Sequence, residues 1–366
     1  MTTKTQKTEE QIRHGLRALY AAYGYLPYKV SKFEEYDLYV QNKKFLPSDQ
    51  ILTFSDVDGK LMALKPDVTL SIVKNTAAGE RTSKVFYTES VYRVPRNACG
   101  FQEIMQTGLE CIGRVDTYAM GEVLMLAARS LMMIGEDYVL DVSDIGVLSG
   151  ILAEEPLDDE ARARILSAIG EKNAHGLADV CAGLSVRPET ERLLTALLSV
   201  YGPLEEKLRD VEALGLPEAC EGALEELRAV AGLMRVYGIG NVNLDFSVVN
   251  DMDYYNGLIF KGFVDGIPAG VLSGGRYDNL MARMGRSGEA IGFAVYLDQL
   301  ERYLEPKPAY DVDTLVLYDK ATNPEALTKT VESLKAGAPS LRVQSGKDAG
   351  VTCRRLVRLD CEGKIR

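Results

Sequence analysis

The sequence predicts an α+β fold: a mainly antiparallel sheet flanked by helices, with a helical insertion and a small C-terminal βαβ segment. Three observations support it. Strand-like stretches come in two groups, SKVFYTESVYRV with FQEIMQTGLECIG, and VNLDFSVV with GLIFKGFVDGIPAGVLSGGRYDNL. Between the groups, from about residue 156 to residue 237, charged amphipathic helices replace them, so the insertion reads as all-helical. Beyond PKPAYD, a Pro-containing linker, the segments TLVLYD, NPEALTKTVESLKAG and LRVQSG alternate as strand, helix and strand. The expected organisation is a core over residues 1–305 that carries the insertion, and a separate α/β segment over residues 306–366.

Taken in order, EEQIRHGLRALYAAYGY (Glu9 to Tyr25) has a helical apolar rhythm that ends at Gly24. ILTFSDVDGKLMAL reads as a hairpin turning at Asp58-Gly59. In KPDVTLSIVKNT, Pro66 suits a first helical turn, with Val68, Ile72 and Val73 on the buried side. The next two strands are joined by PRNACG, which holds Pro95 and Gly100. DTYAMGEVLMLAARSLMMIG is a helix with Asp116 as its N-cap, and YVLDVSDIGVL is a strand running into a helix. The insertion contains LDDEARARILSAIG, RPETERLLTALLSVYG, LEEKLRDVEALG and ALEELRAVAGLMRVYG. FAVYLDQLERYL reads as the helix that closes the core.

Composition narrows the function. With 366 residues, 46% hydrophobic and 26% charged, the chain has the balance of a soluble globular protein. It opens without an apolar signal-peptide core, and no run approaches the length of a membrane span, so a cytoplasmic protein without a membrane partner is expected. Six cysteines (Cys99, Cys111, Cys181, Cys220, Cys353, Cys361) lack CxxC spacing and read as reduced thiols. The two histidines, His14 and His175, stand alone on amphipathic helical patterns, which leaves histidine-based metal and triad chemistry without residues. Neither metal nor cofactor is expected. The net charge of −11 argues against a broad nucleic-acid surface. The basic tail, Arg354-Arg355-Leu356-Val357-Arg358 through Arg366, reads as a solvated face or a frayed end.

No single motif is decisive. GGRYD (Gly274 to Asp278) permits close backbone approach or a tight turn, and taken alone it reads as a turn; it lacks the Lys-Ser/Thr of a P-loop. In KPDVTLS, Asp67 and Thr69 stand at a helix start, where a carboxylate caps the helix or holds a ligand ammonium; the cap is the simpler reading. QTGLE places Gln106, Gly108 and Glu110 on one strand face, facing either a polar pocket or water. DMDYYNG adds Tyr254 and Tyr255, aromatic walls with hydroxyl tips that suit a planar polar ligand or the rim of a core.

The order of these motifs carries more than any one of them. KPDVT, then SVYRV with FQEIMQTGLE, then DMDYYNGLIF, GGRYD and AIGFAVYLDQL resembles the catalytic core of histidyl-tRNA synthetase over roughly Glu9 to Tyr303, helical insertion included. The resemblance implies a class II aminoacyl-tRNA synthetase-like fold, generally dimeric. It also implies a histidine-like ligand pocket lined by Asp67, Thr69, Arg93, Gln106, Glu110, Tyr254, Tyr255 and Tyr277.

Departures from the family pattern fall on cations. Asn250 stands where the family's RGLDYY has arginine, Gln299 replaces the arginine of GLERL, and Gly100 and Gln102 occupy arginine positions in a shortened loop. Joining ATP to a carboxylate needs fixed positive charge on the transition state, and one lost donor typically costs on the order of a hundredfold in rate. Only 63 residues follow Tyr303, which implies that the family's anticodon-binding domain is absent or reduced. This combination is similar to the regulatory subunits of ATP phosphoribosyltransferase. That likeness implies no catalysis by this chain, dimers that join a short-form ATP phosphoribosyltransferase catalytic subunit in a hetero-octamer, L-histidine as effector and no tRNA partner. The alternatives left open are an active histidyl-tRNA synthetase-like amino-acid-activating enzyme and a binding module outside histidine synthesis.

Overall fold

Local sequence signals set most element boundaries in the computed structural model, which describes residues 9–43, 46, 51–76, 82–94, 100–249, 255–304, 310–346 and 350–365. Helix α1 (Glu9–Ala22) opens on two carboxylates that offset its dipole and buries Ile12, Leu16 and Tyr20. Gly24, at φ 80°, takes the chain out of it. Strands β1 (Leu26–Pro27) and β2 (Phe33–Glu35) and helix α2 (Tyr36–Gln41) follow. The predicted hairpin is β3 (Thr53–Ser55) with β4 (Leu61–Leu64), and β2 pairs with the other edge of β4. Helix α3 (Thr69–Asn75) starts later than Pro66 suggested. Asp67 Oδ1 accepts the Leu70 N–H at 2.9 Å, so that side chain, not the proline, marks the entry.

Strands β5 (Ser83–Arg93) and β6 (Gln102–Gly113) pair antiparallel along β5's whole length. Asp116 caps α4 (Thr117–Ile134) by accepting from Ala119 N. Contrary to the sequence reading, this 18-residue helix is long and apolar enough to cross a bilayer. It runs through the core instead, with Val123 to Ala128 fully buried. Strand β7 (Tyr138–Asp144) passes directly into α5 (Ile145–Ile151).

The insertion holds α6 (Asp159–Gly170), α7 (Ala174–Leu184), α8 (Pro188–Leu198), β8 (Tyr201–Pro203), α9 (Leu204–Glu212) and α10 (Glu221–Val236). It is therefore not all-helical. Strand β8 pairs antiparallel with β9 (Val242–Asp245) at the end of the main sheet, and three residues are too few to show a period. Helix α7, which carries His175, is absent from the segments named for the insertion and buries only Leu177 and Cys181. Then come β10 (Leu258–Val264), β11 (Leu272–Arg276), α11 (Asp278–Arg283), β12 (Glu289–Tyr296) and α12 (Leu297–Leu304).

Two further corrections fall here. FAVY belongs to β12 and not to the closing helix, which starts at Leu297. With β6 on one side, β11 on the other and layers over both faces, β12 buries Ala290, Ile291, Gly292, Phe293 and Val295, so no polar alternation marked it as a strand. In GGRYD the glycines lie inside β11, not in a turn. A Cβ on Gly275 would come 2.6 Å from Tyr255 Cδ1 and 2.7 Å from Leu258 O, so close approach explains them.

The chain divides into two compact units, Met1–Leu304 and Glu305–Arg366. In the second, β13 (Val312–Tyr318), α13 (Pro324–Lys335) and β14 (Leu341–Ser345) make the βαβ, and β15 (Cys353–Arg358) adds a third parallel strand on the other edge of β13. The basic tail is thus a strand rather than a frayed end: Val357 packs with Val316 and Leu359, while Arg354, Arg355 and Arg358 face water.

The main sheet of the first unit has the order β1-β5-β6-β12-β11-β10-β7-β9-β8, antiparallel except at β1–β5 and β7–β9. One face carries Leu109, Cys111, Phe293, Phe260 and Val142 and packs on α1, α4 and α10. The other face carries the polar set of β6. It is capped in part by α2, α3 and α11 through Tyr39, Leu70, Ile72, Leu280 and Met281. This two-sidedness positions the site.

Candidate functional site

Period-two alternation along β6 directs Gln106, Gly108 and Glu110 to the second face, and register adds their neighbours. Glu110 lies between Val85 and Gly292, Gly108 between Tyr87 and Ala294, and Gln106 between Glu89 and Tyr296. Glu110 is fully buried and takes two hydroxyl donors. Thr69 Oγ1, on the first turn of α3, donates to Oε1 at 2.8 Å, and Tyr277 Oη donates to Oε2 at 2.6 Å. Burial pushes the Glu110 carboxyl up to about 8, despite those two hydrogen bonds, and the nearby Asp67 adds to the rise. A buried carboxyl of this kind can meet a cation without first shedding water. Gly292 makes room for it, since a Cβ there would overlap Glu110 Oε2.

The other predicted residues surround this centre. Asp67 caps α3 through Leu70 N, as the simpler reading held. Tyr255 packs on Gly275 of β11, two positions from Tyr277. The Arg93 guanidinium sits 5.8 Å from the centre of the Tyr296 ring, at the open end of the face. Tyr254 and Asn250 lie outside the described residues. Of the positions where the family has arginine, Gly100 and Gln102 are exposed, and Gln299 donates to Asp298 at 3.0 Å.

Sequence reasoning passed over three features. Tyr87 is buried over Gly108, and burial together with the Glu110 and Asp67 carboxylates holds its phenol well above the usual range. Tyr296 faces Gln106 and bonds Ser273 Oγ at 2.6 Å; reading FAVY as helix hid it. Lys65 is fully buried against Glu89, 2.6 Å away, beneath the Gln106 row. A lysine directly before the KPDVT helix was the available signal. A separate hollow of about 440 Å³, at Leu38, Gln41, Asn42, Arg283 and Met284, shares no residue with the predicted set.

Among the described residues no group of His, Cys, Asp and Glu is placed to hold a metal ion. Cys111, Cys181, Cys220, Cys353 and Cys361 are free thiols, and Cys99 lies outside the described residues. His14 and His175 are exposed on α1 and α7.

Comparison with known proteins bears on the family and the fold. The sequence profile of the histidyl-tRNA synthetase family matches residues 2–300. An ATP phosphoribosyltransferase regulatory subunit from Clostridium kluyveri is 30% identical, covering 87% of this chain and 85% of its own length. One from Alkaliphilus metalliredigens is 29% identical over 77% of this chain and 73% of that protein. Among solved structures, an ATP phosphoribosyltransferase regulatory subunit/histidyl-tRNA synthetase from Bacillus halodurans shares the fold with a TM-score of 0.76, at 23% identity over 96% of this chain and 94% of that one. A chain of the ATP phosphoribosyl transferase (HisG:HisZ) complex from Thermotoga maritima superposes with a TM-score of 0.62, at 19% identity over 79% of this chain and 97% of its own. The chain belongs to the histidyl-tRNA synthetase family and, within it, to the ATP phosphoribosyltransferase regulatory subunits.

Proposed function

We propose that this chain is a non-catalytic, cytoplasmic regulatory subunit that stimulates a short-form ATP phosphoribosyltransferase catalytic subunit, and that L-histidine withdraws the stimulation by binding at Glu110. The observation that carries this reading is a buried carboxyl, Glu110, that accepts two hydroxyl hydrogen bonds on a polar sheet face. Carboxyl, hydroxyl and amide groups line it (Glu110, Thr69, Tyr277, Gln106), Arg93 stands at its open end, and Gln299 spends its amide on Asp298. Such a site suits an ammonium and a ring. Among the described residues, Arg93 is the arginine placed at this face, fewer fixed charges than holding ATP phosphates against an attacking carboxylate calls for. The names borne by the relatives, and the two-component complex in which one structural neighbour was solved, support the choice of partner.

In this assignment Glu110 receives the ligand's ammonium, with Asp67 adding negative potential, and Tyr255 and Tyr277 flank its imidazole. Inhibition follows if histidine binds the inhibited arrangement of the complex better than the active one. The non-catalytic part is tested by ATP–pyrophosphate exchange with each of the twenty amino acids. Exchange at the level of the no-enzyme control is expected throughout. Histidine-dependent exchange would instead establish an amino-acid-activating enzyme.

A further inference from the structure

Arg276 and Tyr277 are consecutive residues at the end of β11, and alternation sends their side chains to opposite faces of the sheet. Tyr277 reaches Glu110 on the pocket face. Arg276 reaches the other face, where each guanidinium nitrogen has a carboxylate: Nε to Asp278 at 2.7 Å, Nη1 to Glu226 at 2.9 Å and Nη2 to Glu289 at 2.6 Å. Glu226 belongs to α10, the last helix of the insertion. Asp278 is clasped in turn by Asn256, whose side-chain oxygen accepts from Asp278 N at 2.6 Å and whose amide donates to Asp278 Oδ2 at 3.2 Å. Asn256 directly follows Tyr255. Both aromatic walls of the pocket are therefore chain neighbours of a member of this network, and the network ends on the insertion.

Glu226 also has an acidic neighbour. Asp144, buried at the C-terminal end of β7, faces Glu226; burial and then the Glu226 charge push the Asp144 carboxyl up to about 7, while burial raises Glu226 and the hydrogen bond from Asp144 lowers it. Among the described residues the cation that Glu226 meets is Arg276. The guanidinium ties α10 to the sheet through Glu226, beside the buried Leu224, Leu227, Val230, Ala231 and Met234 of that helix.

We propose that the Arg276–Glu226 pair is a latch that transmits occupancy of the Glu110 pocket to the helical insertion. An ammonium at Glu110 takes the oxygen that Tyr277 now bonds, the phenol re-aims, Arg276 shifts with it, and α10 loosens. The proposal rests on the pocket reading above and deepens it. Glu226 and Arg276 are positioning residues, since neither touches the ligand.

Linkage separates this latch from a merely structural ion pair. If histidine favours the unlatched state, deleting the latch removes a barrier to binding and affinity rises. The experiment pairs calorimetric titration of L-histidine with hydrogen exchange of Glu221–Val236, for the full chain and for Glu226→Gln and Glu226→Ala. In the unmodified protein, histidine should speed exchange in α10 several-fold. Glu226→Ala should exchange quickly with or without histidine and bind it about three- to tenfold tighter. Glu226→Gln, which keeps an oxygen for Arg276, should fall between and serves if the alanine variant does not fold. Histidine binding that leaves α10 exchange unchanged, or variants that bind it equally or more weakly, would overturn the latch and leave the pocket standing. No binding heat with the unmodified protein would remove the pocket reading, and the latch with it.

Discussion

Glu110→Ala should weaken L-histidine binding about a hundredfold or more, a loss of about 2.7 kcal/mol, while the protein stays folded. The size follows from burial: a desolvated carboxyl that accepts from Thr69 and Tyr277 has no water to take over its part toward an ammonium. The same carboxyl makes a second, independent forecast. With its titration raised to about 8, the empty pocket holds mostly the neutral acid at pH 7, and an arriving ammonium favours the carboxylate. Binding at pH 7 should therefore release close to one proton, read from titrations in buffers of different ionisation enthalpy. Glu110→Gln should abolish that release. Stability follows the same sign. The folded state keeps this proton above the ordinary value of 4.5, so the stabilisation it brings is fully present below about pH 4.5 and is lost as pH rises through about 8. Thermal melting from pH 5 to pH 9 should show a shallower decline in Glu110→Gln. Equal proton release by both proteins would detach the ligand from Glu110.

Gly292→Ala should damage the site from below. Its Cβ would overlap Glu110 Oε2 and stand 2.5 Å from Leu109 O, in a central strand where backbone has little freedom to yield. Overpacking of this kind costs about 1–3 kcal/mol. Because the nearest mobile neighbour is Glu110, the strain should appear in histidine affinity as well as in melting temperature. Gly183→Ala is the control: it lies in α7 with open space around its Cβ, so a helix propensity gain of up to about 1 kcal/mol is the whole expected effect. A Gly292→Ala protein that melts and binds histidine like the unmodified one would show that this contact does not shape the pocket.

Much of the site's frame was legible because it depends on local rules. Period two placed Gln106 and Glu110 on one face, and a carboxylate ahead of an apolar helix identified Asp67 as a cap. The order of motifs suggested Thr69 and Tyr277, which the fold brings from residues 69 and 277 onto one carboxyl. What stayed hidden depends on packing. Strand β12 is covered on both faces and so has no alternation to read, which concealed Tyr296 opposite Gln106. The glycines of β11 announce flexibility when read alone; only Tyr255 and Leu258 lying against Gly275 show that they admit close neighbours. The buried Lys65–Glu89 pair and the Arg276 network join residues distant in sequence, and no spacing rule predicts them.

The most direct test of the account is the turnover of a short-form ATP phosphoribosyltransferase catalytic subunit from the same organism, measured with and without this chain across an L-histidine titration. The account predicts a higher rate when the chain is added, returned toward the uncomplexed rate by histidine, with that return lost in Glu110→Ala. A rate that this chain leaves unchanged at every histidine concentration would contradict it.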